Sequence, residues 1–220
     1  VITESDFLDQ AYDIHNEREA MFLEAIKRTR KGCCVCVFDG PDRIQHMFYR
    51  YLDPTHPANE GKDTEIYKNV IRDMYAKMDG FLKEVREKLV DDEDTVLMVI
   101  SDHGFCNFRR GVNLNSWLRD EGYLVLKEGE TTSPDWFAKV DWKKTRAFTL
   151  GLTGVFLNRQ GRERDGIVAP ADVDSLSAEI KGKLDKLVDP ATGEEIINEV
   201  FLTKNHHDGP YADLAPELLI

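Results

Sequence analysis

The sequence predicts an α/β protein: a mostly parallel sheet flanked by helices, with a smaller α+β lobe beside it. Three observations predict it. Thr95-Val96-Leu97-Met98-Val99-Ile100 is a continuous apolar run, the pattern of a strand buried on both faces. Cys33-Cys34-Val35-Cys36-Val37-Phe38 is a second such run. Between them lies a long stretch with apolar residues at helical spacing. Strand, helix and strand make a βαβ unit, whose crossover is right-handed in nearly every sheet. The first run feeds Asp39-Gly40-Pro41-Asp42-Arg43-Ile44-Gln45-His46 and the second feeds Ser101-Asp102-His103-Gly104. The crossover helix returns the chain, so both loops are expected at one sheet edge, outside the strand ends where open α/β sheets bind ligands.

The remaining elements follow from local signals. Thr3-Glu4-Ser5-Asp6 has a capping-box pattern, and Phe7, Leu8, Ala11, Ile14, Met21, Phe22, Ala25 and Ile26 continue at helical spacing. That helix runs to about Thr29, with Lys27, Arg28, Arg30 and Lys31 at its carboxyl end and Gly32 as its stop. A short helix is expected around Ile44–Tyr51, then a loop holding Pro54 and Pro57. Asp63 or Thr64 caps the long amphipathic helix, which ends near Val90. Beyond Gly104, Val112–Glu121 reads as helix, Tyr123–Leu126 as strand, and Ala147–Leu150 and Val155–Leu157 as short apolar runs separated by Gly151 and Gly154. Ala171–Val188 is amphipathic helix, opened by Pro170, and Ile196–Leu202 is extended. The expected organisation is an α/β part at 1–104 carrying the Asp/His motifs, an α+β lobe at 105–205, and at 206–220 the start of a return to the core sheet.

At 220 residues the chain can bury one sizeable core, and 41% hydrophobic with 32% charged residues is an ordinary soluble composition. A net charge of −12 argues against nucleic acid and anionic membrane as partners. It does not exclude a small anionic substrate, because divalent cations would reverse the local potential. The four cysteines, three of them at 33, 34 and 36, show no CxxC spacing and read as reduced, buried small hydrophobes. Reduced thiols favour the cytoplasm. No apolar run reaches the about 20 residues of a membrane helix.

Asp42 and His46 stand four residues apart, a spacing that puts both side chains on one face of a helical turn. Asp102 and His103 are adjacent where the second run ends. Together the pairs supply the oxygen and nitrogen ligands that zinc and manganese accept. Taken singly, each motif reads better as loop residues and a cap; the joint placement is what points to metal. His15 and His56 read as surface histidines, and Arg109-Arg110 as a solvated pair. His206-His207-Asp208-Gly209 is a third cluster without a preceding strand. The sparse Gly151, Gly154 and Gly161 make no nucleotide loop.

Phe38-Asp39-Gly40-Pro41-Asp42-Arg43-Ile44-Gln45-His46 followed by Ser101-Asp102-His103-Gly104-Phe105 resembles the type I phosphodiesterase/nucleotide pyrophosphatase branch of the alkaline phosphatase superfamily. Gly151–Asn158 with Gly161-Arg162-Glu163, and Gly209-Pro210-Tyr211 with Ala215-Pro216-Glu217-Leu218, are similar to stretches of predicted phosphohydrolases in that branch. The resemblance implies an alkaline-phosphatase-like sheet flanked by helices, two divalent metal ions, and a small phosphoester as substrate. It implies Asp42 and His46 on the first ion and Asp102 and His103 on the second, with zinc ahead of manganese. It also implies hydrolysis through a phospho-enzyme on a Thr. The family's nucleophile and a further Asp lie upstream of the first motif, and its third His downstream. The chain therefore reads as an internal fragment of the full fold, with no catalytic nucleophile of its own and inactive alone. The rival readings are a non-catalytic binding module whose Asp and His cap loops or hold a structural ion, and a phosphomutase or sulfatase of the same superfamily.

Overall fold

The computed structural model describes residues 2–89, 94–133 and 135–220. Its contacts divide the chain into two compact units, Val1–Gly111 and Val112–Ile220. Among the described residues there are five α-helices and one small antiparallel sheet.

The first unit is built on helices. Helix α1 (Glu4–Arg28) starts as its capping box directs: the Asp6 N–H donates to Thr3 Oγ1 at 3.1 Å, and the Thr3 N–H donates to Asp6 Oδ2 at 3.0 Å. Helix α2 (Gly40–Phe48) opens with Pro41 at its first turn and runs into a 3-10 turn at Tyr49–Leu52. Helix α3 spans Val70–Leu89. Ala11 of α1, Ile44 and Phe48 of α2, and Ile71 and Met74 of α3 form the core, with Tyr51 beside them. A second aromatic group joins Phe22, Phe38 and Phe81, with ring centroids 5.2 to 6.3 Å apart.

Three expectations for this unit are corrected. Neither 33–38 nor 95–100 is a strand, and among the described residues neither belongs to a ladder or bridge, so the mostly parallel sheet is not formed. An apolar β-branched run states a preference for a strand; pairing makes it one, and no described ladder or bridge includes either run. The second run is exposed, Val96 at 85% and Ile100 at 83%, while Cys34, Cys36 and Phe38 of the first are half-buried. Helix α3 begins at Val70 and not at Asp63, because Asp63 Oδ1 accepts from the Glu65 N–H in a local turn. Cys33 and Cys106 are exposed and Cys34 and Cys36 half-buried; all four are free thiols, as expected, but they are not core residues. The expected end of α3 at Val90 lies outside the described residues.

Two histidines are also corrected. His15 is 2% exposed, with its Nε2 3.1 Å from Glu19 Oε1, which in turn pairs with Lys77. It lies four residues after Ala11 on the buried stripe of α1. His56 is buried too, accepting from the Ala58 N–H at Nδ1 and donating from Nε2 to the Phe108 carbonyl at 2.8 Å.

The second unit carries the sheet. Strands β1 (Ala147–Leu150) and β2 (Gly154–Leu157) pair as an antiparallel hairpin with Phe148 opposite Phe156. The segment 206–220 supplies β4 (Leu218–Leu219), which lies between β2 and β3 (Phe201–Leu202) in the order β1-β2-β4-β3. Helix α4 (Leu114–Asp120) and helix α5 (Val173–Leu184) belong to the same unit. Leu118, Ile180, Leu184, Leu157 and Leu218 are fully buried in its core. Tyr123–Leu126 is not a strand: it forms a single bridge, Leu126–Val140, and its Tyr123 and Val125 carbonyls accept from the Arg146 and Asp141 N–H groups. Arg162 grips the buried Glu217 with two bonds of 2.7 and 3.0 Å, and Glu217 also accepts from the Leu157 N–H, which locks β2 to the chain entering β4.

Candidate metal centre at the Asp42 and Asp102 loops

Residue Gly40 sets the position of the first motif. A Cβ built on it would stand 2.6 Å from His15 Nδ1 and 2.9 Å from the Met74 methyl, so only glycine lets the start of α2 lie this close to α1. The run before it is pinned by Arg18, which donates to the Val37 carbonyl at 3.0 Å and faces Asp39 at 3.7 Å. Pro41 fixes φ at the first helical turn, and Asp42 and His46 then share one face of α2 as their spacing requires. Asp42 Oδ1 is 3.4 Å from His46 Nε2.

The second motif is brought to the first without a sheet. Beyond it, His56 holds the Phe108 carbonyl, and Arg109 donates to the Thr55 carbonyl at 3.0 Å and faces Asp53 at 3.3 Å. These bonds fasten 105–110 to the loop that follows α2. His103 Nε2 lies 3.6 Å from Asp42 Oδ1 and 3.6 Å from Asp102 Oδ2. The four residues singled out from the sequence are thus neighbours, with Asp42 between the two imidazoles. Asp102 is the outermost, its side chain 89% exposed against 43% for Asp42.

The state of His103 follows from its bonds. Its Nδ1 is 2.9 Å from the Gly104 carbonyl, an atom that only accepts, so Nδ1 carries the proton and Nε2 keeps its lone pair when the ring is neutral. Ligating histidines have this arrangement, one nitrogen held by a carbonyl and the other turned to the ion. The Gly104 carbonyl first, then the Asp102 and Asp42 carboxylates, raise the His103 pKa above its ordinary value, against a small lowering from burial. In donor chemistry the residues fit a divalent ion. They approach in pairs, and among the described residues no group of three or more His, Cys, Asp or Glu is placed to hold one.

Phe105 packs among the rings of the site. Its ring is 4.8 Å from that of His46, 5.3 Å from that of His103 and 6.0 Å from that of Tyr49, so it fills the space between the two imidazoles. An aromatic directly after the Asp-His-Gly turn was the available signal. His206 and His207 lie in the second unit and are exposed, with His206 against the Phe201 ring.

The family model for type I phosphodiesterase / nucleotide pyrophosphatase matches residues 4–220. The chain belongs to this family. As a type I phosphodiesterase / nucleotide pyrophosphatase family member it falls in a branch of the alkaline phosphatase superfamily, a class of phosphoester hydrolases that is generally metal-dependent. No curated protein and no solved structure matches it. No described helix is long and apolar enough to cross a membrane.

Proposed function

We propose that Asp42, His46, Asp102 and His103 are the metal ligands of a phosphoester hydrolase, and that these residues supply the ion-binding half of its site. The observation that carries the reading is Asp42 Oδ1 lying between the Nε2 atoms of His46 and His103, at 3.4 and 3.6 Å. Carboxylate oxygens beside imidazole nitrogens are donors that zinc accepts, with manganese second. Asp42 and His46 would hold one ion and Asp102 and His103 a second. When bound, a pair of divalent ions supplies positive charge at both the attacking and leaving oxygens of an in-line displacement.

What the chain's own residues contribute is orientation. Gly104 fixes the His103 tautomer, Phe105 spaces the rings, and α2 fixes the Asp42–His46 face. Ser101, the hydroxyl next to the ligands in sequence, donates to the His103 carbonyl at 2.5 Å and so is held away from nucleophilic duty. We infer that hydrolysis runs through a phospho-enzyme whose attacking hydroxyl these 220 residues do not present, and that they alone do not turn over a phosphodiester.

The test is calorimetric titration with zinc and with manganese, beside turnover of a nitrophenyl phosphodiester. Two protein ligands per ion, where catalytic zinc sites have three, lead to weak but saturable binding that is lost in Asp42→Ala. No binding of either ion would sink the metal reading. Turnover by these residues that disappears in Asp102→Ala would keep the ligands and overturn the missing nucleophile.

A further inference from the structure

In the second unit a cavity of about 270 Å³ opens beside α4, and its wall carries the most conspicuous exposed side chain of the protein. Trp136 is 89% exposed. Its backbone is left-handed, with φ 59° and ψ 36°, and Phe137 after it also has φ 59°. Two consecutive bulky residues in this region are costly, and such strain persists only where the surroundings impose it. Here the pair of left-handed residues turns Phe137 inward, edge-on to Trp142 and Phe148 with centroids 5.6 and 5.9 Å away, and leaves Trp136 facing out at the cavity.

The cavity is apolar on one side and polar at one edge. Leu124 and Val140, both buried, form its apolar part with Leu126. At the edge stand Asn113, Ser116 and Arg119. Asn113 Oδ1 is engaged in capping α4, accepting from the Ser116 N–H at 3.0 Å, which leaves its amide hydrogens and the Ser116 hydroxyl as the groups to offer a ligand. The Arg119 guanidinium is met by Asp120 through bonds of 2.9 and 2.7 Å and donates to the Thr131 carbonyl. Its charge is balanced, so the cavity has no net pull on an anion.

We propose that this cavity binds an uncharged heteroaromatic ring, stacked on Trp136 and hydrogen-bonded along one edge by Asn113 and Ser116. An exposed indole is a platform for a flat ring, whose π-face it covers irrespective of which ring it is. Apolar and polar residues share the lining equally, and apolar walls with convergent polar groups are the composition of small-ligand sites. The volume lies just below the roughly 300–1,000 Å³ of ligand pockets in general, which leaves room for a single ring system and not an extended molecule. The site lies wholly in the second unit, and its failure would leave the metal reading untouched.

The probe is adenosine, titrated against the whole chain by calorimetry with ribose as the non-aromatic control, because a substitution at Trp136 would remove a fluorescent reporter along with the platform. The expected result is saturable binding of adenosine and none of ribose. Trp136→Ala should weaken binding at least about tenfold, the loss of one stacked ring. Trp136→Phe should recover most of that affinity, and Ser116→Ala should weaken it a few-fold with the melting temperature unchanged. Equal adenosine affinity in Trp136→Ala, equal response to ribose, or no saturation at millimolar adenosine would each overturn the proposal.

Discussion

His103 shows how far single residues determine the site. Holding the Nδ1 proton on the Gly104 carbonyl leaves Nε2 with its lone pair when the ring is neutral, facing the carboxylates of Asp42 and Asp102. Both carboxylates are well exposed, and neither bonds to a buried partner. We therefore expect Asp42→Ala and Asp102→Ala to leave the melting temperature within about 2 °C when a chelator is present. A large loss in such melts would make that Asp a structural partner and not a ligand. His15 is the opposite case. Burial is the first cause lowering its pKa, opposed by Glu19, with Lys77 lowering and Asp39 raising it further. Its Nδ1 has no partner among the described residues. A histidine with a depressed folded pKa binds fewer protons folded than unfolded. Stability is full above about pH 6.5 and falls as pH drops through that value toward the depressed one. Urea melts at about pH 7.5 and 5.5 should show a larger loss for the parent than for His15→Gln; the difference between the two proteins removes the contributions of the other histidines. An equal loss in both would clear His15 of the effect. The burial of His15 was legible in the sequence, four residues past Ala11, but a polar residue on an apolar stripe reads as surface until its partner is known. Glu19 was that partner.

Gly40 and Gly80 separate two kinds of glycine at the scale of the element. At Gly40 a methyl group would meet the His15 ring and the Met74 methyl, and the ring cannot retreat because it packs on Phe38 at 5.6 Å and holds Glu19. Gly40→Ala should cost about 1–3 kcal/mol by denaturant unfolding, the range for overpacking a filled core. Gly80 lies within α3 with open space at its Cβ position, and Gly80→Ala should stabilise by about 0.5–1 kcal/mol. If the two substitutions had the same sign, the close approach of α2 to α1 would be wrong. Elements whose signals are local were legible: the capping box of α1 and the four-residue spacing on α2, and the two short apolar runs parted by Gly151 and Gly154 became β1 and β2. The start of α3 was missed because Asp63 makes its own turn, a competing local bond that periodicity does not register. The runs at 33–38 and 95–100 were read as strands because their residues prefer that state. Pairing belongs to two segments at once, and a sequence pattern states only one side of it. The Asp/His convergence was reached for a reason that does not hold in the structure, since tethers from His56 and Arg109, not a parallel ladder, bring 103 toward 42.

On the scale of the whole molecule, the two units each hold their own core, while the run at 95–100 lies outside both. Val96, Met98, Val99 and Ile100 are between 73 and 85% exposed. A run that is apolar, β-branched, uncharged and free of proline is the composition of a self-pairing strand. The net charge of −12 opposes association over the surface as a whole, but it is distributed elsewhere and does not interrupt this segment. The chain as given should therefore self-associate through 95–100. Val96→Lys places a charge in the run at the position farthest from Asp102 among its exposed apolar residues, and should reduce association measured by light scattering without changing metal titration. Leu152→Lys is the control: Leu152 is 98% exposed, but it stands singly in the turn between β1 and β2, where an isolated apolar residue carries no such hazard. Equal scattering from the parent and Val96→Lys, or an equal fall in both variants, would mean that the run is not where copies of the chain meet.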